Sequence, residues 1–473
     1  MLDSELILVA LLACLSVMVL TSVWKQRSLQ GKLPPGPTPL PFIGNLLQLD
    51  KNKIYSSFMK VTPGREMSRN YGPVFTIYLG TRRVVVLCCY NAVKEALLDK
   101  AEEFSGRGQQ ATFDHLFKGY GVAFSNGERT KQLKRFCLHV LRELGVGKRG
   151  TEHRIQQEAD FLIEALQSTR GAFIDPTSYI NKIVSNIISS IVFGDRFDYE
   201  DKEFLSVIQM FDEIINFTIS PTGQLFEMFH AVMKYLPGPQ QQVFKNMQKL
   251  EEFTAKRVEQ KQRTLDPNSP QDFIDYFLIR MQEEKDNPNT EFDMKNLVLT
   301  ALDLLFGGRE GISLTLRLAF LLIVKHPDVE AKLREEIDQV IGRNRQPSFE
   351  DRTKMPYTQA VIHEIQRFAN VGPFAMAHRV TKDTRFRDFF LPKHFLDDKG
   401  QLKKVDAHVP FSMGKRSCLG EGLATMELFL FLTSIMQNFC FKCSPEPQDI
   451  KLSLNHEDFA RVPPNFTMSF LPR

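Results

Sequence analysis

Through most of the chain beyond Glu128, apolar residues recur three and four positions apart, the period of a helix with one buried face. "ERTKQLKRFCLHVLREL", "EHRIQQEADFLIEALQ" and "PQQQVFKNMQKLEEFTAKRVEQKQ" all carry it. "HPDVEAKLREEIDQVIG" adds punctuation, with Pro327 near a helix start and Gly342 at its end. Two stretches follow a different pattern. "GPVFTIYLGTRRVVVLCC" predicts two short strands around a Gly–Thr turn, and the C-terminal "NFTMSFL" is strand-like. No repeat is visible, and no clear linker recurs after Asn45. The pattern predicts one large α+β domain, mainly α, over residues 46–473.

Ahead of that domain the pattern changes. Leu6–Trp24 holds no charge and is long enough to cross a bilayer as a helix. A cleaved signal peptide would begin with basic residues, but here Asp3 and Glu5 precede the apolar run. Lys25, Arg27 and Lys32 follow it, which places the body on the cytosolic side. Residues 1–24 are therefore expected to be a transmembrane anchor. Residues 25–45, with "GKLPPGPTPLPFIGN", are expected to be a semi-rigid proline-rich hinge.

Composition narrows the function classes. Net charge is +4, from 60 basic and 56 acidic residues, too balanced for nucleic acid as a main partner. There are 39 Phe and one Trp, which predicts a core rich in phenyl rings. The 7 cysteines are odd in number and irregularly spaced, which argues against a disulfide framework and for a reducing compartment. Cys440 and Cys443 form a lone CxxC. No second pair completes a zinc site, so both are read as buried small residues.

Three constellations carry chemistry. In "FSMGKRSCLGEG", Cys418 precedes a long apolar helix, so its sulfur can lie at the helix's positive end. Gly414 and Gly420 permit close backbone approach, and Lys415 and Arg416 add positive charge. In "VIHEIQRF", Glu364 and Arg367 can pair on one helix face beside the apolar stripe of Val361, Ile365 and Phe368. In "ALDLLFGGREGISLTLRLAFLLIV", Gly307, Gly308 and Gly311 interrupt an apolar helix at roughly 1 kcal/mol each relative to Ala. That cost points to something bulky against the backbone, with close helix–helix packing as the competing reading. Arg309 and Glu310, in so apolar a setting, need partners.

Together, and in this order, anchor, hinge, glycine-bearing helix, Glu-x-x-Arg helix and cysteine loop resemble the cytochromes P450, the haem-thiolate monooxygenases. "FSGRG", "RFDYEDKEFL", "LPGPQQQ", "NRQPSFEDR", "MPYTQAVIHEIQRF" and "FTMSFLPR" resemble the microsomal second family, close to its subfamily A. The resemblance implies haem b, iron protoporphyrin IX, with Cys418 as the axial thiolate. It implies Arg416, His378 and Lys134 beside the propionates, and Phe411 and Gly414 in the haem-binding loop. Glu364, Arg367 and His394 would form a structural ion-pair network. Phe113, Phe124, Phe217, Asp303, Phe306, Phe374 and Phe459 would line an apolar pocket for small lipophilic substrates: xenobiotics, steroids and fatty acids such as arachidonate. Lys131, Lys134, Arg135 and Lys415 would face NADPH–cytochrome P450 reductase, with cytochrome b5 as an optional donor. An ordinary solvated face competes for each of these cations. The implied location is the endoplasmic reticulum membrane.

The chain departs from the family pattern in three ways that bear on activity. The central-helix pattern Ala/Gly-Gly-x-Asp/Glu-Thr reads Gly307-Gly308-Arg309-Glu310-Gly311, keeping the acid and losing the threonine. Glu310 and Gly311 are thus the expected catalytic positions, with leakage to peroxide as the expected consequence. The Trp/His-x-x-x-Arg pattern reads Thr130 and Lys134, and lysine lacks the bidentate fork of arginine. Lys393 also runs straight into His394, where relatives carry a longer segment, while an insertion sits around Gly64–Met67. Two alternatives stay open: an impaired or non-functional relative, and a haem protein that rearranges peroxides.

Overall fold

The computed structural model describes residues 16–17, 33–48, 67–80, 82–146, 149–369, 376–381, 409–444 and 466–473. The expected anchor, apart from Ser16 and Val17, lies outside the described residues, as does the Lys393–His394 junction. No helix of the described residues is long and apolar enough to cross a membrane.

The two strands expected near the start form an antiparallel hairpin, β1 (Val74–Leu79) and β2 (Arg82–Leu87), with Leu79 opposite Arg82. Phe75 and Ile77 alternate inward with no exposed surface. A two-residue strand, β3 (Gly106–Arg107), pairs much later in the chain with β4 (His378–Arg379), setting Arg107 opposite His378. The C-terminal pair is β5 (Phe439–Ser444) with β6 (Thr467–Pro472). On β5 the two cysteines of the CxxC separate: Cys443 is buried and Cys440 is exposed. This corrects the expectation that both are buried, because residues three apart on a strand point to opposite faces.

Helices fill the rest. The longer ones are α1 (Ala111–Phe117), α2 (Gly127–Glu143), α3 (Arg149–Ser168), α4 (Thr177–Val192), α5 (Lys202–Ile219), α6 (Pro221–Met233) and α7 (Pro239–Thr264). They continue with α8 (Phe273–Glu283), α9 (Met294–Lys325), α10 (Pro327–Val340), α11 (Pro356–Ala369) and α12 (Glu421–Asn438). Pro327 sits in the first turn of α10, and Gly342 follows its end at φ +73°, as the sequence predicts. The core is rich in phenyl rings: Phe136 meets Phe273, Phe277 and Phe292 edge-on at 5.8, 5.2 and 5.1 Å.

α9 is the axis of the fold. It runs for 32 residues, and Asp293 caps it by accepting the Asn296 N–H. It packs most extensively on α4 and also meets α7, α11 and α12. Its glycines do not share one role. A methyl on Gly308 would fall 2.7 Å from Ile188, so close packing of α4 explains that position. Gly307 and Gly311 are exposed in the middle of an otherwise buried helix, with nothing within 4 Å of an added methyl.

Candidate active site

The loop before α12 is held by its own backbone. Cys418 N–H donates to the Phe411 carbonyl at 2.9 Å, and Ser417 N–H donates to Gly414 at 3.1 Å. Gly414 takes φ +73°, and a methyl there would lie 1.9 Å from the Leu97 carbonyl oxygen. Only glycine satisfies both demands. The turn delivers Cys418 to the start of α12, where the amides of Gly420 and Glu421 act on its sulfur in favour of the thiolate. Cys418 is accessible, but the surrounding protein depletes water around the sulfur and raises the thiol pKa. The two amides and the Lys134 ammonium oppose that rise, and each favours the thiolate.

Three cations, Lys134, Arg416 and Arg107, gather beside the loop with the imidazole of His378. Lys134 reaches across from α2 and donates to the carbonyls of Lys415 at 2.8 Å and Ser417 at 3.0 Å. Arg416 donates to the Ser105 carbonyl at 2.8 Å and the Ser125 carbonyl at 2.7 Å. Burial, then the neighbouring Arg107, lowers the Arg416 pKa to about 10. Arg107 is buried and donates from Nε to the Ala123 carbonyl at 2.9 Å. His378 Nδ1 meets the Phe104 carbonyl at 2.8 Å; a carbonyl only accepts, so Nδ1 carries the proton. Burial lowers the His378 pKa, and Arg107 and Arg416 lower it further.

Among the described residues none of these four forms an ion pair. Three cations close together, Arg107 buried and Lys134 and Arg416 half-buried, call for an anion. Together with a thiolate on two amides, they suit a flat group that joins a metal centre to anionic arms, and haem has that chemistry. Arg107 was not singled out from the sequence, although it stands inside "FSGRG". Its signal is an arginine between two glycines, which becomes legible only when β3 pairs with β4 and brings it opposite His378.

The structure brings together Phe113, Phe124, Asp303 and Phe306 of the seven residues expected to line a pocket. Phe113 stacks on Phe124 at 5.0 Å and meets Phe306 edge-on at 5.4 Å. Phe117 and Phe211, which the sequence did not mark, join at 4.5 Å to Phe124 and 4.9 Å to Phe306. Asp303 lies under the same segment, where its Oδ2 accepts the Ala123 N–H at 2.9 Å and its Oδ1 has no partner. Burial raises its pKa to about 8, against the pull of those amides and of Arg107. Phe217 is buried elsewhere, 6.0 Å from Phe226. Phe374, Phe459 and His394 lie outside the described residues.

The middle of α9 differs from expectation in what holds its acid. Glu310 pairs with Arg309, whose guanidinium also pairs with Asp212 of α5. Burial raises the Glu310 pKa, and Arg309 counters that. Gly311 leaves no side chain beside it. Of the cations expected to face a partner, Lys131 and Lys415 are exposed but paired, with Glu128 at 2.7 Å and Glu102 at 2.8 Å. Arg135 is exposed, and Lys134 turns inward to the loop. Glu364 and Arg367 pair at 2.7 Å on α11, with side chains 53% and 40% exposed.

A sequence profile described as Cytochrome P450 matches residues 34–394 and 389–470. Cytochrome P450 2A3 of Rattus norvegicus is 66% identical over 500 aligned positions, covering all of both chains. Cytochrome P450 2A13 and cytochrome P450 2A7 of Homo sapiens are each 65% identical with the same coverage. With the loop, the cationic cluster and these matches in agreement, the chain belongs to the cytochromes P450, the haem monooxygenases, within subfamily A of the microsomal second family.

Proposed function

We propose that the protein is a membrane-anchored haem-thiolate monooxygenase that places one atom of O2 into small lipophilic substrates, with its coupling impaired. Xenobiotics, steroids and fatty acids such as arachidonate are the substrate classes. Electrons come from NADPH through NADPH–cytochrome P450 reductase, with cytochrome b5 as a second donor, at the endoplasmic reticulum membrane. The observation that carries this reading is Cys418 at the start of α12, in a loop fixed by its N–H bond to the Phe411 carbonyl and by Lys134 on the Lys415 and Ser417 carbonyls.

Haem b, when bound, supplies oxygen activation, which an electron-donating thiolate assists. Cys418 is the ligand that holds its iron. Arg107, Arg416, His378 and Lys134 hold its carboxylate arms. Phe113, Phe124 and Phe306 exclude water and orient an apolar substrate, with Asp303 as the polar group among them. Glu310 is the acid of this helix but is tied to Arg309, and Gly311 offers no hydroxyl beside it, so proton delivery would be poor and leakage to peroxide is the expected consequence. Arg135, Lys131 and Lys415 remain the exposed cations for an acidic reductase, which must compete with Glu128 and Glu102 for the two lysines.

A segment lost between Lys393 and His394 adds to the impairment. Two facts support it: the family profile matches in two pieces that meet at 389–394, and the relatives align over 500 positions where this chain has 473 residues. A cleft of about 600 Å3 beside the loop, walled by Phe349, Ile362, Phe411 and Phe429, fits core left uncovered.

The test is spectroscopic. Full-length protein loaded with haem, reduced and exposed to carbon monoxide is expected to give the difference band of thiolate ligation. A band typical of histidine ligation, or none, would sink the proposal.

A further inference from the structure

Asn126 stands at the N-cap of α2, where an asparagine side chain ordinarily accepts an amide of the first turn, yet it makes no cap hydrogen bond. It turns to β3 instead. Its Oδ1 accepts the Arg107 N–H at 2.6 Å, and its Nδ2 donates to the Arg107 carbonyl at 3.3 Å. A backbone N–H only donates, which fixes which end of the amide faces it. Gly108 N–H donates to the Ala377 carbonyl at 2.7 Å, so the N–H and carbonyl of Arg107 point away from β4, to the open edge of the pair. One side-chain amide thus meets both groups, as a further strand would.

The segment that carries Asn126 also holds the side chains of the cluster. The Ala123 carbonyl receives Arg107 Nε, and the Ser125 carbonyl receives Arg416. The Ser125 hydroxyl is tied in turn to that of Thr130 on α2, at 2.8 Å. Arg107 and Arg416 repel each other, and Arg107 disfavours the charge on Arg416. Fixed backbone is what keeps two like charges side by side until an anion joins them.

We propose that Asn126 is a positioning residue: it clamps the Arg107 backbone to the segment that also receives Arg416, and so holds the two guanidinia together, ready for the carboxylate arms of haem. The role toward haem rests on the monooxygenase reading; the clamp itself is a property of the folded chain.

The test uses the full chain, with and without haem. Transfer of haem to excess apomyoglobin reads its dissociation, and amide hydrogen exchange is read at residues 106–108 and along 127–143. Asn126→Ala is expected to speed haem loss by about tenfold or more, as when a group that orients a ligand is removed. It should speed exchange at Arg107 by about tenfold in both forms, because that amide loses its acceptor. Exchange along α2 should not change, because no cap is removed. In an Arg107→Gln background, Asn126→Ala should add little to the rate of haem loss, since the clamp acts through Arg107. Unchanged exchange at Arg107, faster exchange along α2 as from a lost cap, haem loss at the parent rate, or the full effect in the Arg107→Gln background would each overturn the proposal. If Asn126→Ala fails to fold, Asn126→Ser keeps a residue able to cap α2 but has one hydroxyl in place of the amide. The same faster haem loss is then expected, and the parent rate refutes the clamp. A parent that takes up no haem refutes the haem reading, whereas a parent and variants that hold haem equally well refute this proposal alone.

Discussion

In the Cys418 loop the chemistry comes from the backbone: a left-handed glycine, two amides at a helix start, and carbonyls that receive Lys134. In the middle of α9 it comes from side chains: Arg309 holding Glu310 and Asp212, and Gly311 offering none. The two regions tolerate change differently. A backbone device is retained or lost whole, because Gly414 has no room for even a methyl. A side-chain device is altered one group at a time while the helix stays intact, and α9 does run unbroken through its glycines. The loop therefore reports what chemistry the fold is built for, and α9 governs how well that chemistry is coupled.

The strongest way to break the comparison is at the sulfur. Cys418→Ala is expected to abolish the thiolate carbon monoxide band and all turnover while the helices persist by circular dichroism. Retention of the band would reassign the ligand. Next in size is Gly414→Ala. Left-handed backbone costs an ordinary residue about 1–2 kcal/mol, and the overlap with the Leu97 carbonyl adds to it. A loss of more than about 2 kcal/mol in urea unfolding is expected. A loss below half of that would show the loop to be more adaptable than its geometry implies.

Asp303, on α9, tests the same contrast through pH. Its pKa in the fold is raised to about 8, so the folded chain binds a proton that the unfolded chain releases near pH 4. Stability is then full below about pH 4 and falls as pH rises towards 8, with a slope of at most about 1.4 kcal/mol per pH unit. Arg107 and the amides of Val122 and Ala123 favour the ionised form, and they keep the pKa from standing higher still, which sets the upper end of the window rather than the slope. Asp303→Asn keeps a carbonyl oxygen for Ala123 N–H and removes the titration. The variant is expected to gain stability over the parent as pH rises from 5 to 8, and parallel curves would refute the raised pKa.

Legibility in the sequence divided along the same line. Helices α2, α3, α7 and α10, the β1–β2 hairpin and β6 followed from period and punctuation, because those patterns are local. Cys418 stood out through its glycine-bounded loop, Arg416 and His378 came from the family resemblance, and the structure brings them to one place. What the sequence could not give depends on pairings distant in the chain. Arg107 joins the cluster only through β4, and Phe211 joins the pocket only because α5 lies over α9. The glycines of α9 look alike in sequence. Only packing distinguishes Gly308, closed off by Ile188, from Gly307 and Gly311, which face open space. Nor does a run of Arg and Glu say that Arg309 turns to Asp212 across the fold.

The smallest effect is the most discriminating. Gly311 is exposed in mid-helix with nothing within 4 Å of an added methyl, so Gly311→Thr fits without displacing a neighbour. Threonine is a slightly better helix residue than glycine, and stability should change by less than about 0.5 kcal/mol. Its hydroxyl would stand beside Glu310 and supply the proton-passing group that the parent lacks. Peroxide formed per NADPH consumed is expected to fall by about threefold, a modest share of what a positioned proton donor contributes. Arg309 limits the gain, because it still holds the Glu310 carboxyl. Adding Arg309→Thr should therefore lower peroxide further, by more than the same change made alone in the Gly311 background. If Gly311→Thr has no effect in either background, coupling is not set in the middle of α9, and the division of labour between loop and helix fails. If Gly311→Thr acts fully by itself, the hydroxyl was all that was missing and Arg309 has no part in coupling.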